Sequence, residues 1–135
     1  MTNKYTVGKF TAGKLAAGFA ALLAVTLTAG VSHAAGDSQN GKKVFNKCMA
    51  CHAVEAGKNK LGPSLHGVIG RKAGTVEGYK YSDAMKASNL TWNEETIAKF
   101  LADPKGTVAG SKMIFPGLKN EAEITDVISY LGEQK

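Results

Sequence analysis

Apolar residues are distributed along this chain in three different ways. From Leu15 to Ala29 they form a run with no charge. In three later stretches they recur at helical spacing. Elsewhere they are scattered among glycines. The first periodic stretch predicts a helix from Ser38 to about Cys48, capped by Asp37 or Ser38, with Val44 and Phe45 on its apolar side. The second opens with Thr91-Trp92-Asn93-Glu94, where Thr91 and Glu94 have the spacing of a capping box. Ile97, Ala98, Phe100 and Leu101 follow, and Pro104 is expected to stop the helix. The third starts at Asn120, with an acid three positions on at Glu123. Ile124, Val127, Ile128 and Leu131 then fall at i, i+3, i+4 and i+7, and Gly132 ends it. A shorter helix is expected from Ser82 to Lys86. No stretch alternates apolar and polar residues as a half-buried strand would, so the fold class is all-α: three main helices joined by long loops.

Those loops need something to hold them. Residues 53–80 contain six glycines and Pro63, and residues 103–119 contain Pro104, Gly106, Gly110, Pro116 and Gly117. Structureless loops of this length are uncommon in a small domain. A large flat cofactor wedged between them would supply the core they lack.

The uncharged run has its own logic. Lys4, Lys9 and Lys14 precede it with no acid among them, and it exits through Val31-Ser32-His33-Ala34-Ala35. A basic start, a short apolar stretch and a small-residue exit form the pattern of a secretory signal peptide, cut after Ala34. Residues 1–34 are therefore read as a signal and 35–135 as the functional domain. The alternative is an uncleaved anchor, but a span needs about 20 apolar residues and this run is shorter. Removing the signal also removes three lysines, so the formal charge of +6 falls to +3. The basic character of the whole chain thus overstates the case for an acidic partner. There is no block of consecutive basic residues, and nothing points to nucleic acid.

Export and two cysteines would ordinarily suggest a disulfide. Here they stand in Cys48-Met49-Ala50-Cys51-His52, the C-x-x-C-H sequence of covalent haem attachment. The spacing has a chemical reason. Each sulfur adds to one vinyl group, two intervening residues let a turn of chain reach both, and the next side chain projects under the iron. A thioredoxin-like redox pair would need a βαβ setting, and a zinc site would need a second pair of ligands. Neither gives His52 a role. His66, Met85 and Met113 are the candidates for the sixth iron ligand. Met49 lies between the cysteines and cannot cross the ring. Met113, in the loop 110–117 beside Ile114 and Phe115, has the most favourable surroundings.

The stretch from Gly41 to Leu131 resembles a class I cytochrome c of the mitochondrial and α-proteobacterial type. Lys43-Val44-Phe45-Asn46-Lys47 leads into the haem motif as in that family, and Leu61-Gly62-Pro63-Ser64-Leu65-His66-Gly67 is similar to the stretch that follows its axial histidine. The resemblance implies that the carbonyl of Pro63 accepts the Nδ1 proton of His52. It places Arg71, in Gly70-Arg71-Lys72-Ala73-Gly74, near a buried propionate. It makes Tyr81 and Trp92 propionate donors, and puts the Ser111 hydroxyl near the second propionate. Lys112-Met113-Ile114-Phe115 matches the distal loop, so Met113 is the expected second axial ligand beside His52. His-Met ligation raises the reduction potential. Two departures alter the distal side: Phe100 stands where many relatives have Tyr, and Met85 where mitochondrial members often have Asn. Both make it more apolar. Gly106 and Ala109 replace Lys and Pro, which predicts a looser ligand loop.

The function implied is a periplasmic electron carrier rather than an enzyme, with one haem c per chain. It is expected to act as a monomer. Lys47, Lys60, Lys105, Lys112 and Lys119 match positions around the exposed haem edge in the family. As a ring they would steer the protein to acidic patches on membrane redox complexes: a cytochrome bc complex, a terminal oxidase or a reaction centre. The rival is a haem enzyme or a sensor of gas or peroxide with a labile sixth ligand. A further alternative keeps residues 1–34 as a tether to the periplasmic face of the inner membrane.

Overall fold

The computed structural model describes residues 36–135; the apolar run from Leu15 and the expected cut after Ala34 lie outside them. Among the described residues five helices are formed: α1 (Ser38–Phe45), α2 (Asp83–Ala87), α3 (Glu94–Ala102), α4 (Pro104–Thr107) and α5 (Glu121–Gly132). The expected all-α class holds. Among the described residues the one β contact is an isolated antiparallel bridge between Lys72 and Thr91. No helix among them is long and apolar enough to cross a membrane.

α1 starts where expected. The Asp37 carboxylate accepts from the Gln39 and Asn40 amides, and the Asp37 N–H donates to Asp126 on α5 at 2.7 Å. It ends at Phe45 rather than Cys48. Beyond it the chain tightens into turns, with Cys48 N donating to Phe45 O at 2.8 Å and His52 N to Cys48 O at 2.9 Å. Cys51 N also donates to Cys48 O, at 3.0 Å, so Cys48 to His52 make one turn of chain that keeps Cys51 and His52 close to Cys48.

α1 and α5 pack face to face. Gly41 makes this possible, because a Cβ there would run into the Asp126 carbonyl and lie 2.8 Å from the Tyr130 Cβ. Phe45 and Tyr130 stack alongside with ring centroids 5.4 Å apart. Around this crossing Val44, Ile97, Leu101, Ile124, Val127, Ile128 and Leu131 form the main core.

Two cap expectations need correction. α3 is capped by Asn93, not Thr91. Its side chain accepts from Thr96 N, and the Thr96 hydroxyl accepts from Asn93 N at 3.0 Å. The reciprocal box therefore lies two residues further on than the Thr91–Glu94 spacing indicated, with Thr96 in the role assigned to Glu94. At α5 the cap is Asn120, as expected, but Glu123 turns outward and pairs with Lys47 at 2.8 Å. Pro104 ends α3 and also opens α4, where its missing N–H costs nothing at the first helical position. The short α2 starts on a Ser82 cap, close to the expected place.

The long loop is held by specific bonds rather than by regular structure. Gly70 N donates to Trp92 O at 2.7 Å, Trp92 N to Arg71 O at 2.9 Å and Ala73 N to Leu90 O at 2.8 Å, fastening it to the entry of α3. A second, smaller apolar cluster of Ala73, Met85, Phe100 and Val108 packs there, with Met113 against it.

Candidate functional site

A cavity of about 440 Å³ opens between the two apolar clusters, and side chains from both line it. All nine candidate residues converge on it: Cys48, Cys51, His52, Pro63, Arg71, Tyr81, Trp92, Ser111 and Met113. They come from the turn after α1, the long loop, the α3 entry and the loop after α4.

His52 is the best-defined of them. Its side chain is buried. Nδ1 lies 2.8 Å from the Pro63 carbonyl; a carbonyl only accepts, so Nδ1 carries the proton and Nε2 keeps its lone pair. Burial lowers the imidazole's affinity for a second proton, while the Pro63 bond works the other way. Gly62 lies flat against the ring. A Cβ there would run into Cε1 and come within 2.7 Å of both ring nitrogens. Cys48 is half-buried and Cys51 exposed, and neither is in a disulfide. Burial pushes the Cys48 thiol up, with Cys51 adding to the effect and Lys47 opposing it.

Arg71 does more than the sequence suggested. Its guanidinium donates to the carbonyls of His66 at 2.6 Å and Ser64 at 2.9 Å. No carboxylate pairs with it among the described residues. Burial lowers its pKa, partly offset by Tyr81. Tyr81 is itself pushed up by burial, against the Val76 backbone and Arg71. Trp92 packs on Phe100 at 5.1 Å. The Ser111 hydroxyl accepts from Met113 N at 3.3 Å.

His66, the rival nitrogen ligand, is not brought to the cavity: its Nδ1 faces the Val54 carbonyl at 3.2 Å. Met85 and Phe100 do line it, and with Met113 they give that wall its apolar character. Of the five lysines, Lys47 and Lys112 stand at the mouth. Lys60 is drawn aside to the Met49 carbonyl at 2.6 Å, and Lys119 reaches the Ala102 carbonyl at 3.5 Å. Lys105 borders a separate shallow groove with Asp103 and Phe115.

Some wall residues were not singled out in the sequence. Tyr79 lines the cavity, donates to the Leu61 carbonyl at 2.8 Å and meets Tyr81 edge-on at 4.7 Å. Leu61 and Ile114 stand at the mouth, 80% and 97% exposed. The signal for Tyr79 was faint: one more aromatic two positions before Tyr81.

The family model for cytochrome c matches residues 38–135. The chain belongs to the cytochrome c family. Among relatives, cytochrome c2 iso-2 of Magnetospirillum fulvum is 61% identical over 87 residues, covering 64% of this chain and 91% of that protein. Cytochrome c-554 of Methylosinus trichosporium is 49% identical over 115 residues, 84% of this chain and 87% of that one. The solved structure of cytochrome cH from Methylobacterium extorquens superposes with a TM-score of 0.69 at 48% identity, covering 72% of this chain and 98% of that one.

The cofactor of a cytochrome c is covalent haem c, and this site fits it. The donor set is a buried imidazole with a free Nε2, a thioether and two thiols at C-x-x-C-H spacing. A half-buried guanidinium without a carboxylate partner suits a carboxylate-bearing group, since buried charge needs pairing. The rest of the lining is mostly apolar, with Phe45, Leu65, Val68, Ile97, Phe100 and Leu101 facing the space, which suits a large apolar ring that would remove this surface from water.

Proposed function

We propose that this protein is an exported single-electron carrier in which haem c is attached through Cys48 and Cys51 and ligated by His52 and Met113. The observation that carries the reading is the convergence of these four side chains on one largely apolar cavity, with His52 already fixed in the tautomer that leaves Nε2 for a metal. When bound, haem c supplies the one-electron couple of its iron. Every other requirement falls to the chain. Pro63 orients the imidazole and strengthens it as a ligand. Met113 offers a thioether, which favours the reduced state. Met85, Phe100, Ile97 and Leu101 exclude water, so little solvent has to reorganise as charge changes. Arg71, Tyr81, Trp92 and Ser111 would hold the propionates.

Residues 1–34 are proposed to direct export and to be cut off after Ala34, placing residues 35–135 in the periplasm. The carrier would exchange electrons with membrane redox complexes and has no enzymatic role of its own. Lys47 and Lys112 at the mouth would steer it to acidic docking patches. Two measurements test this. The mass of the periplasmic protein should equal residues 35–135 plus one haem that survives denaturation; a chain retaining residues 1–34 would contradict the export proposal. The rate of electron exchange with an acidic redox partner should fall steeply with salt; a flat response would contradict steering.

A further inference from the structure

The loop around residues 59–64 supports His52 in two places, and both supports are fastened from outside by one other segment. The first support is the Pro63 carbonyl on Nδ1. The next residue, Ser64, is 2% exposed and fully engaged. Its N–H donates to Asn59 Oδ1 at 2.9 Å, its hydroxyl donates to Glu55 O at 2.7 Å, and its carbonyl accepts from Arg71. The other end of the Asn59 amide, Nδ2, donates across to the Glu77 carbonyl at 3.0 Å. The second support is Gly62, whose Cα lies against the imidazole face. Its neighbour Leu61 is 80% exposed and anchors no side chain in the core, yet its carbonyl accepts from the Tyr79 hydroxyl at 2.8 Å. Two bonds from residues 77–79 thus cross to the segment that holds the ring, one next to each support.

We propose that Asn59 and Tyr79 are positioning residues for the His52 imidazole, clamping residues 77–79 onto residues 59–64 so that the Pro63 carbonyl and the Gly62 Cα stay on the ring. The inference rests on the reading of His52 as an axial ligand. Loss of either clamp bond frees one support without touching the ring itself. Outer partners of metal-ligating histidines commonly matter by tenfold or more, and here the effect passes through one further residue.

The experiment uses the reduced holoprotein and follows the His52 ring protons by NMR in the wild type, Asn59→Leu, Tyr79→Phe and Ile128→Val. Ile128 is a core residue that does not line the cavity, so its truncation calibrates plain destabilisation. Exchange of the Nδ1 proton with solvent should quicken at least tenfold in Asn59→Leu and severalfold in Tyr79→Phe. Ile128→Val at a comparable loss of Tm should leave it within twofold. The reduction potential should move in the two clamp variants and not in the control. If exchange follows Tm alike in all three variants, the two residues are merely structural and the proposal is overturned. Should Asn59→Leu fail to fold, Tyr79→Phe, which removes one oxygen, decides alone: wild-type exchange and potential would overturn the proposal. Failure of the ligand assignment would show separately, in the wild type, as His52 ring protons lacking the upfield ring-current shift that a porphyrin would impose on an imidazole bound to its iron.

Discussion

The His52 wall and the Met113 wall of the cavity are built by different means. On the His52 side the polypeptide itself does the holding. The imidazole is bonded to Pro63 O, Gly62 is packed on its face, Gly62 N donates to Cys51 O at 2.7 Å, and Leu65 N donates to Ala53 O at 2.8 Å. On the Met113 side the tethers are sparse. Ser111 N reaches Val108 O at 3.0 Å, Met113 N reaches its near neighbour Ser111 Oγ at 3.3 Å, and Leu118 N reaches Leu101 O at 2.8 Å. Between them Ile114 is almost wholly exposed. Met113 is kept in place by packing against Met85, Phe100 and Val108 rather than by directional bonds. Of the two proposed ligands, His52 is preorganised by backbone geometry, and Met113 sits on a loop whose local opening should cost less than unfolding of the domain.

The largest effect tests what both walls share. Replacing Cys48 and Cys51 together with Ala should leave a chain without covalent haem. Because the apolar lining contributed by both walls would then face water and small domains are only marginally stable, far-UV circular dichroism should show much less helix than the holoprotein at 25 °C. Retention of native helix would mean the two walls close without a cofactor.

The next sets the walls against each other through glycine. Gly62→Ala forces a methyl into the His52 ring and should cost about 2–3 kcal/mol, lowering Tm by roughly 10 °C or more. Gly110→Ala, at φ 88° with its added Cβ 3.1 Å from Ala84, pays mainly for the left-handed backbone, about 1 kcal/mol. Thermal melts compare them directly, and the reverse order would break the contrast.

Native-state hydrogen exchange then sharpens it. The amides of Ser111 and Met113 should be at least about tenfold less protected than those of Gly62 and Leu65, a difference of about 1.4 kcal/mol in opening free energy. Equal protection would mean that packing holds Met113 as firmly as bonds hold His52.

The smallest effect lies at the rim. Glu123→Gln unfastens Lys47 from α5. An exposed pair of this kind contributes about 0.2–1 kcal/mol, so urea denaturation should show a loss of that size at low salt, vanishing near 1 M salt.

Much of this was legible in the sequence because the relevant signals are local. The C-x-x-C-H spacing is covalent chemistry, and the i, i+3, i+4, i+7 series of α5 is geometry. Most of the failures have non-local causes. Thr91 and Asn93 are both competent caps, and the Arg71–Trp92 backbone bonds, invisible in sequence, place Thr91 in a bridge instead. Glu123 could have closed a box at Asn120, but Lys47, 76 positions away, offers a charged partner. α4 was hidden because Pro104 reads equally as a stop and as a start. The nine candidate residues, which line one cavity, were named partly through resemblance, since spacing alone does not bring Met113, Arg71 or Tyr81 near His52. Asn59, Gly62 and Tyr79 escaped because their importance lies in what their neighbours touch.

The central claim is that His52 and Met113 complete the iron's coordination. The most direct test is the optical spectrum of the oxidised holoprotein in the near infrared, before and after Met113→Ala, read for the methionine-to-ferric-iron charge-transfer band. The account predicts the band in the wild type and its loss in the variant. A wild type without the band, showing a high-spin or bis-nitrogen spectrum, would contradict it and turn attention to ligand-binding and peroxide chemistry.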